Sequence, residues 1–368
     1  MLDVENATAY LRDRGLIGQT LFEDGTLTVR SAARRNRNLR VEGPDGRGFL
    51  IKQPDERDVA SLATLRTEAA FYRFCAVEPA VAEVWEVIPR LADHDPERAV
   101  LVLELVRGAV PLASIVVAPT GPGELVRAGQ ALGHALGTLH RVFRGVDLER
   151  GPRLGWLHRD VPWALTAHQP EPDLLASLSP ANAGLLRILQ DDESVSNHLD
   201  ALRAAWRRDT LIHGDVKFDN VLVLPGGGVR VVDWEMVQIG DAAYDLAGAL
   251  QDHLLHWTYS MPVTGSLTPA AMIDQASRPL SSMRGAIRVL WYSYRAAAGL
   301  DARLSNELLR RAVSLSAARL ILSTYEISYE AERLSARSLI LLQLAANVLA
   351  EPERAQVELY GIPQELPF

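Results

Sequence analysis

Cysteine is all but missing. The 368 residues contain one, Cys75, which excludes an internal disulfide and a cysteine-rich zinc site. A basic surplus is missing too: 38 Lys and Arg stand against 46 Asp and Glu, for a net charge of −8, which argues against a dedicated nucleic-acid binder. No run reaches 18 uninterrupted apolar residues. The nearest, 334–350, carries Ser335, Arg337, Ser338, Gln343 and Asn347 and predicts a buried amphipathic helix, not a membrane span. The first residues, Met-Leu-Asp-Val-Glu-Asn, lack a basic region leading into an apolar one, so a cytoplasmic protein without a secretory leader is expected. There is no His-Glu-x-x-His, no Gly-x-Ser-x-Gly and no Gly-x-Gly-x-x-Gly after a strand, which sets aside metalloproteases, nucleophilic hydrolases and dinucleotide oxidoreductases.

What is present is core-forming sequence in two styles. Residues 1–106 read as β-rich with one main helix, and residues 107–368 as mostly helical. A short helix is expected at 4–14, stopping at Gly15. Strands are predicted at 26–33, 38–42 and 48–53, the last two joined by the turn Gly43-Pro44-Asp45-Gly46. Leu62, Leu65, Ala69, Tyr72 and Cys75 recur at helical spacing over 58–76, which places Cys75 in the core. Strands are predicted again at 81–87 and 99–105, separated by polar Ala92-Asp93-His94-Asp95-Pro96, with a hinge at Arg107-Gly108. Beyond it come a long helix at 123–143, loops with brief helices at 151–180, a helix at 181–206, a strand-turn-strand at 211–232, and helices to nearly the end.

The chemistry concentrates in His213-Gly214-Asp215-Val216-Lys217-Phe218-Asp219-Asn220 and in the later Asp233-Trp234-Glu235. An Asp and an Asn on one loop, facing an Asp at a neighbouring strand end, suit phosphoryl transfer. That reaction needs a carboxylate beside the attacking hydroxyl and oxygen ligands for Mg²⁺.

His-Gly-Asp-x-x-x-x-Asn followed by Asp-Trp-Glu resembles the aminoglycoside phosphotransferase and choline kinase branch of the protein-kinase-like fold. The resemblance implies an α+β bilobal architecture: an N-lobe over 1–106 with a small antiparallel sheet and one helix, and a mainly helical C-lobe over 107–368. It implies Asp215 as catalytic base and Asn220 and Asp233 as metal ligands. Lys217 falls where many Ser/Thr protein kinases keep a lysine that contacts the transferring phosphate, a position where antibiotic kinases more often have another residue. Lys52, on a strand, would hold the nucleotide phosphates, oriented by Glu68 on the helix. The segment at 102–108, with Glu104 and Val106, is similar to the family's adenine-binding hinge, where the backbone makes the contacts. Asp245, in Gly240-Asp241-Ala242-Ala243-Tyr244-Asp245-Leu246-Ala247, would brace the catalytic loop, and His140 would be structural.

One element departs from the pattern. The loop expected to cover the phosphates, Ser31-Ala32-Ala33-Arg34-Arg35-Asn36, has no glycine to let backbone N–H groups approach. Asn36 falls where choline-kinase-like proteins often have Asn. Arg34, Arg35 and Arg37 would offer charge to the phosphates, bind an acidic partner, or simply be solvated. The acceptor pocket falls where the resemblance is weakest, with Trp156, Asp160, Trp163, His168, Glu171 and Asp173 as candidates for its lining.

Three functions follow. The first is an ATP- and Mg²⁺-dependent phosphotransferase acting on a hydroxyl of a small metabolite or aminoglycoside-like compound. The second is a Ser/Thr kinase for a precursor peptide in a biosynthetic pathway, working with a partner protein. The third is a nucleotide-binding pseudokinase scaffold. Neither nucleic acid nor membrane is an expected partner.

Overall fold

The computed structural model describes residues 1–32, 37–118, 122–146, 154–263 and 267–364. The fold is α+β, with a small antiparallel sheet in the N-terminal region and a helical C-terminal part. Five strands, β1 (Thr28–Ser31), β2 (Arg37–Glu42), β3 (Gly48–Gln53), β4 (Leu91–Asp95) and β5 (Val100–Glu104), pair in the order β1-β2-β3-β5-β4. The predicted turn at 43–46 closes the β2–β3 hairpin, with Gly46 at φ 76°.

Period-two alternation then sorts the sheet. Ile51 pairs with Leu39 and Val102, and these residues pack with Val41 and Val100 beneath Leu2, Ala7, Tyr10, Leu11 and Ile17 of the N-terminal segment. Its helix, Ala7–Asp13, is shorter than the expected 4–14. Lys52, one residue along, points to the opposite face with Leu50 and lines a cleft. The Val59–Val77 helix, capped where the Asp58 carboxylate accepts from Ser61 N–H, packs below the sheet and carries Glu68.

Two expectations between 79 and 105 are corrected. Residues 81–87 are not a strand. Pro79–Glu86 is a 3₁₀ helix that buries Val81 and Val84, three apart, the repeat of that helix. Pro79 sets its first turn, and the Glu78 carboxylate accepts from Ala80 N–H. The polar stretch after it forms β4 instead. An edge strand tolerates polar residues, and Arg14 pairs with Asp93 at 2.5 Å across it.

A third correction falls at 181–206, where two helices stand in place of one. Pro180–Asp191 and Glu193–Ala204 are separated by extended Asp192, whose carboxylate caps the second by accepting from Val195 N–H. Aspartate competes well for caps and poorly for helix interiors.

The Pro122–Arg144 helix packs closely on Leu280–Ala298. Gly129, Gly133 and Gly137 recur one turn apart, and a Cβ on any of them would strike the carbonyl of Ala286, Leu290 or Tyr294, respectively. The two backbones meet without intervening side chains. No helix among the described residues is long and apolar enough to cross a membrane.

Gly133→Ala is therefore expected to destabilise the protein by about 1–3 kcal/mol, the cost of overpacking a closed contact. Gly184, also helical but with open space around it, should respond oppositely, with Gly184→Ala stabilising by about 0.5–1 kcal/mol. Denaturant unfolding of the two variants side by side checks both signs.

Candidate active site

The catalytic-loop candidate begins where Thr210–Ile212 pairs with Gln238–Gly240. From there the backbone leaves regular structure, so its N–H groups need other partners. Carboxylates of the Ala242–Tyr259 helix supply them. Asp245 accepts from His213 N–H at 2.7 Å and Gly214 N–H at 2.9 Å, and Asp252 accepts from Phe218 N–H at 2.5 Å. Gly214 is at φ 80°, and a Cβ there would meet the Met236 carbonyl. His140, read as structural, lies between Asp245 (3.1 Å) and the Tyr294 hydroxyl (2.9 Å). His213 accepts from Asp215 N–H at Nδ1, and its Nε2 lies 2.9 Å from the Val232 carbonyl, which selects the Nε2–H tautomer.

The loop delivers Asp215 into a ring of donors. Its Oδ2 lies 2.6 Å from Lys217 Nζ and 3.2 Å from Asn220 Nδ2, and its Oδ1 accepts from Arg319 Nη2 at 3.1 Å. Burial works to raise the Asp215 carboxyl, but the Arg319 and Lys217 cations hold it below the usual carboxylate range. Asn220 also donates to the Asp215 carbonyl at 3.0 Å, so its amide oxygen remains for another partner.

Across the cleft, buried Lys52 contacts both Glu68 oxygens at 2.8 Å and Asp233 Oδ1 at 2.7 Å. Desolvation opposes its charge, yet the two carboxylates raise its pKa. Burial pushes Glu68 up to about 6 against the pull of Lys52, while Lys52 keeps Asp233 low despite burial. Asp233 sits at φ 70°, ψ 59°, a left-handed conformation that Asp adopts more readily than most residues. Behind it, the Trp234 indole stacks on Phe71 at 4.1 Å, and Trp234 N–H donates to Glu68. One turn of one helix thus receives both Lys52 and the Asp-Trp-Glu segment.

The cleft that Lys52, Asn220 and Asp233 line has a volume of about 370 Å³. Its lining mixes apolar Leu50, Leu103, Val106 and Leu222 with charged and polar Arg40, Lys52, Glu104, Asn220 and Asp233. That mixture suits a nucleotide, with a flat apolar base and a charged tail. Among the described residues no group of three His, Cys, Asp or Glu would hold a metal unaided. One amide oxygen and one carboxylate fit Mg²⁺, which keeps waters and takes phosphate oxygens for the rest of its shell.

Of the residues singled out from sequence, Lys52, Asn220 and Asp233 line this cleft, Glu68 is bonded to Lys52, and Asp215 is bonded to Asn220 and Lys217. Glu104 and Val106 also line the cleft. Asn36, Arg34 and Arg35 lie outside the described residues. Asp160 is exposed, Glu171 and Asp173 begin the Pro172–Ser177 helix, His168 is buried and 3.2 Å from Asp200, and Trp163 packs on Tyr325 at 4.5 Å. Trp156 is half-buried. Two residues at the site have no motif to announce them. Arg319 shows in sequence only as a lone cation within Ala317-Ala318-Arg319-Leu320-Ile321, and Asp252 only as an acid two turns after Asp245.

A two-part fold with a base candidate on one side and a paired strand lysine on the other defines a kinase-like phosphotransferase. The chain belongs to the APH phosphotransferase enzyme family, whose sequence model matches residues 26–285. Similar solved structures include an ethanolamine kinase from Plasmodium vivax (TM-score 0.55, 11% identity, 95% of this chain and 90% of that one). A choline kinase from Cryptosporidium parvum Iowa II follows at TM-score 0.54, 11% identity and 97% and 98% coverage. The amicoumacin kinase hAmiN, solved with AMP-PNP, Ca²⁺ and Ami, gives 0.53, 13%, 93% and 96%. At these identities the likeness is one of fold. No curated protein matches the chain by sequence.

Burial pushes the Asp252 carboxyl up to about 7, above its value in an unfolded chain. The folded protein then binds this proton more tightly between about pH 4 and 7, so its stability falls as pH rises through that window. Asp252→Asn cannot titrate. Relative to that variant, the parent protein should lose about 2–4 kcal/mol between pH 4 and pH 8, measured by denaturant unfolding at both pH values.

Proposed function

We propose that the protein transfers the γ-phosphate of ATP, with Mg²⁺, to a hydroxyl of a small molecule. One observation carries the reading: a single cleft is lined by Lys52 and Asp233, bridged to each other and to Glu68, and by Asn220, whose amide holds Asp215. In this reading residues 1–106 form the nucleotide half, with the backbone at Glu104 and Val106 beside the base. Lys52, oriented by Glu68, binds phosphate oxygens, and Asn220 and Asp233 hold the metal. When bound, Mg²⁺ neutralises charge on the phosphates. Asp215 orients the acceptor hydroxyl and takes the proton its oxygen loses as it bonds to phosphorus and ADP departs. A carboxylate held low by two cations is a weak base. It suits a loose transition state in which positioning matters more than proton abstraction. Lys217, 2.6 Å from Asp215, contacts the transferring phosphate in this reading.

The test is ADP release from MgATP with a panel of choline, ethanolamine, an aminoglycoside, a macrolide and a Ser/Thr-rich peptide. A small-molecule acceptor is expected to stimulate release, and Asp215→Asn to lower kcat by about 10²–10⁴-fold without loss of folding. MgATP at 100 times its Kd should add about 2.7 kcal/mol of stability, and Lys52→Met should abolish that gain. Stimulation by the peptide alone would replace the small-molecule reading. Nucleotide binding without turnover on any acceptor would favour a scaffold.

A further inference from the structure

Arg319 stands in the middle of the Ala302–Ile327 helix and is 3% exposed. Its Nη2 donates to Asp215 Oδ1 at 3.1 Å and to the Val216 carbonyl at 3.2 Å. The other two nitrogens, Nε and Nη1, are buried with no hydrogen-bond partner among the described residues. The guanidinium carbon lies 5.3 Å from the Tyr244 ring centre, and the Tyr244 side chain is also a polar neighbour of the guanidinium. A buried cation with unspent donors is a poor stabiliser, and an apolar side chain of similar volume often does as well or better. What an apolar residue could not supply is the contact to Asp215.

The two oxygens of Asp215 are held differently. Oδ2 has Lys217, whose side chain is 35% exposed, and Asn220, both from the same loop. Oδ1 has Arg319, from a helix that packs against the one carrying Asp245 and Asp252. Among the described residues, only Arg319 ties the carboxylate to something outside its own loop.

We infer that Arg319 is a positioning residue for phosphoryl transfer, pinning Asp215 through Oδ1 so that Oδ2 is the oxygen presented to the acceptor hydroxyl. The inference rests on the proposed role of Asp215. Without Arg319 the carboxyl is held only by flexible loop partners and turns about its Cβ–Cγ bond. A misplacement of this order costs catalysis while leaving nucleotide binding, across the cleft, alone.

The test measures ADP release from MgATP with the best acceptor of the panel above, or with water where the panel yields none. Arg319→Met, Arg319→Lys, Asp215→Asn and the Asp215→Asn/Arg319→Met double variant are compared, each with a thermal melt. Arg319→Met is expected to melt near the parent temperature and to lose on the order of 10²-fold in kcat, with KM for MgATP unchanged. Arg319→Lys should recover part of the loss. In the Asp215→Asn background Arg319→Met should cost nothing further, because no carboxylate remains to position. Parent-like kcat in Arg319→Met, or a full additional loss in the double variant, overturns the inference and leaves a packing residue. If the Met variant does not fold, the cycle is run with Arg319→Lys, where additivity overturns it equally. Normal turnover by Asp215→Asn alone would instead sink the reading of Asp215, a distinguishable result.

Discussion

An ammonium group taken out of water must be met by opposite charge, and the buried Lys52 is met three times. Both oxygens of Glu68 and one of Asp233 lie within 2.8 Å of its nitrogen. The partners come from a sheet strand, a helix and a turn 181 residues further along the chain. Leaving such a charge unpaired costs more than most other errors in a core, so the three elements are fixed to one another. Stacking of Trp234 on Phe71 adds an apolar contact to the same junction. The cleft exists because these pieces cannot separate without stranding the lysine.

The opposite wall is held by another device. A loop with no ladder of its own is fastened through its N–H groups to carboxylates from one helix, Asp245 near its start and Asp252 two turns later. His140 and Tyr294 support Asp245 in turn. That helix is packed against the one bearing Arg319, so backbone and side chain of Asp215 are referred to the same rigid body. The glycine-lined contact between the Pro122–Arg144 and Leu280–Ala298 helices brings His140 and Tyr294 within hydrogen-bond distance. A close helix crossing and a loop carboxylate are thereby linked through a few atoms.

Sequence reading did well where signals were local and poorly where neighbours decided. The Gly43-Pro44-Asp45-Gly46 turn and the 58–76 helix declare themselves in a few residues, and both appear. Residues 81–87 misled because Val81, Val84 and Val87 also fit a short apolar strand, and only Pro79 and the period of three pointed to 3₁₀. The 91–95 strand was hidden because its edge position and the partner Arg14 make polar residues acceptable there. Asp192 looked like one residue within a helix and was a cap for the next. The stripe Gly129, Gly133 and Gly137 was visible at helical spacing, but its meaning needed the carbonyls of a helix about 150 residues away.

For the site, the residue types and spacing at 213–220 and 233–235, with Lys52 and Glu68 ahead of them, were enough to choose the chemistry. Phosphoryl transfer constrains which groups must be present, and short motifs record that constraint. The chain by itself therefore determined the fold class and the family. Folding alone decided that Asp215 is gripped by Arg319 and that Asp252 fastens the loop. Those outcomes come from burial and from contacts between distant segments, and neither leaves a periodic or motif-length trace along a sequence.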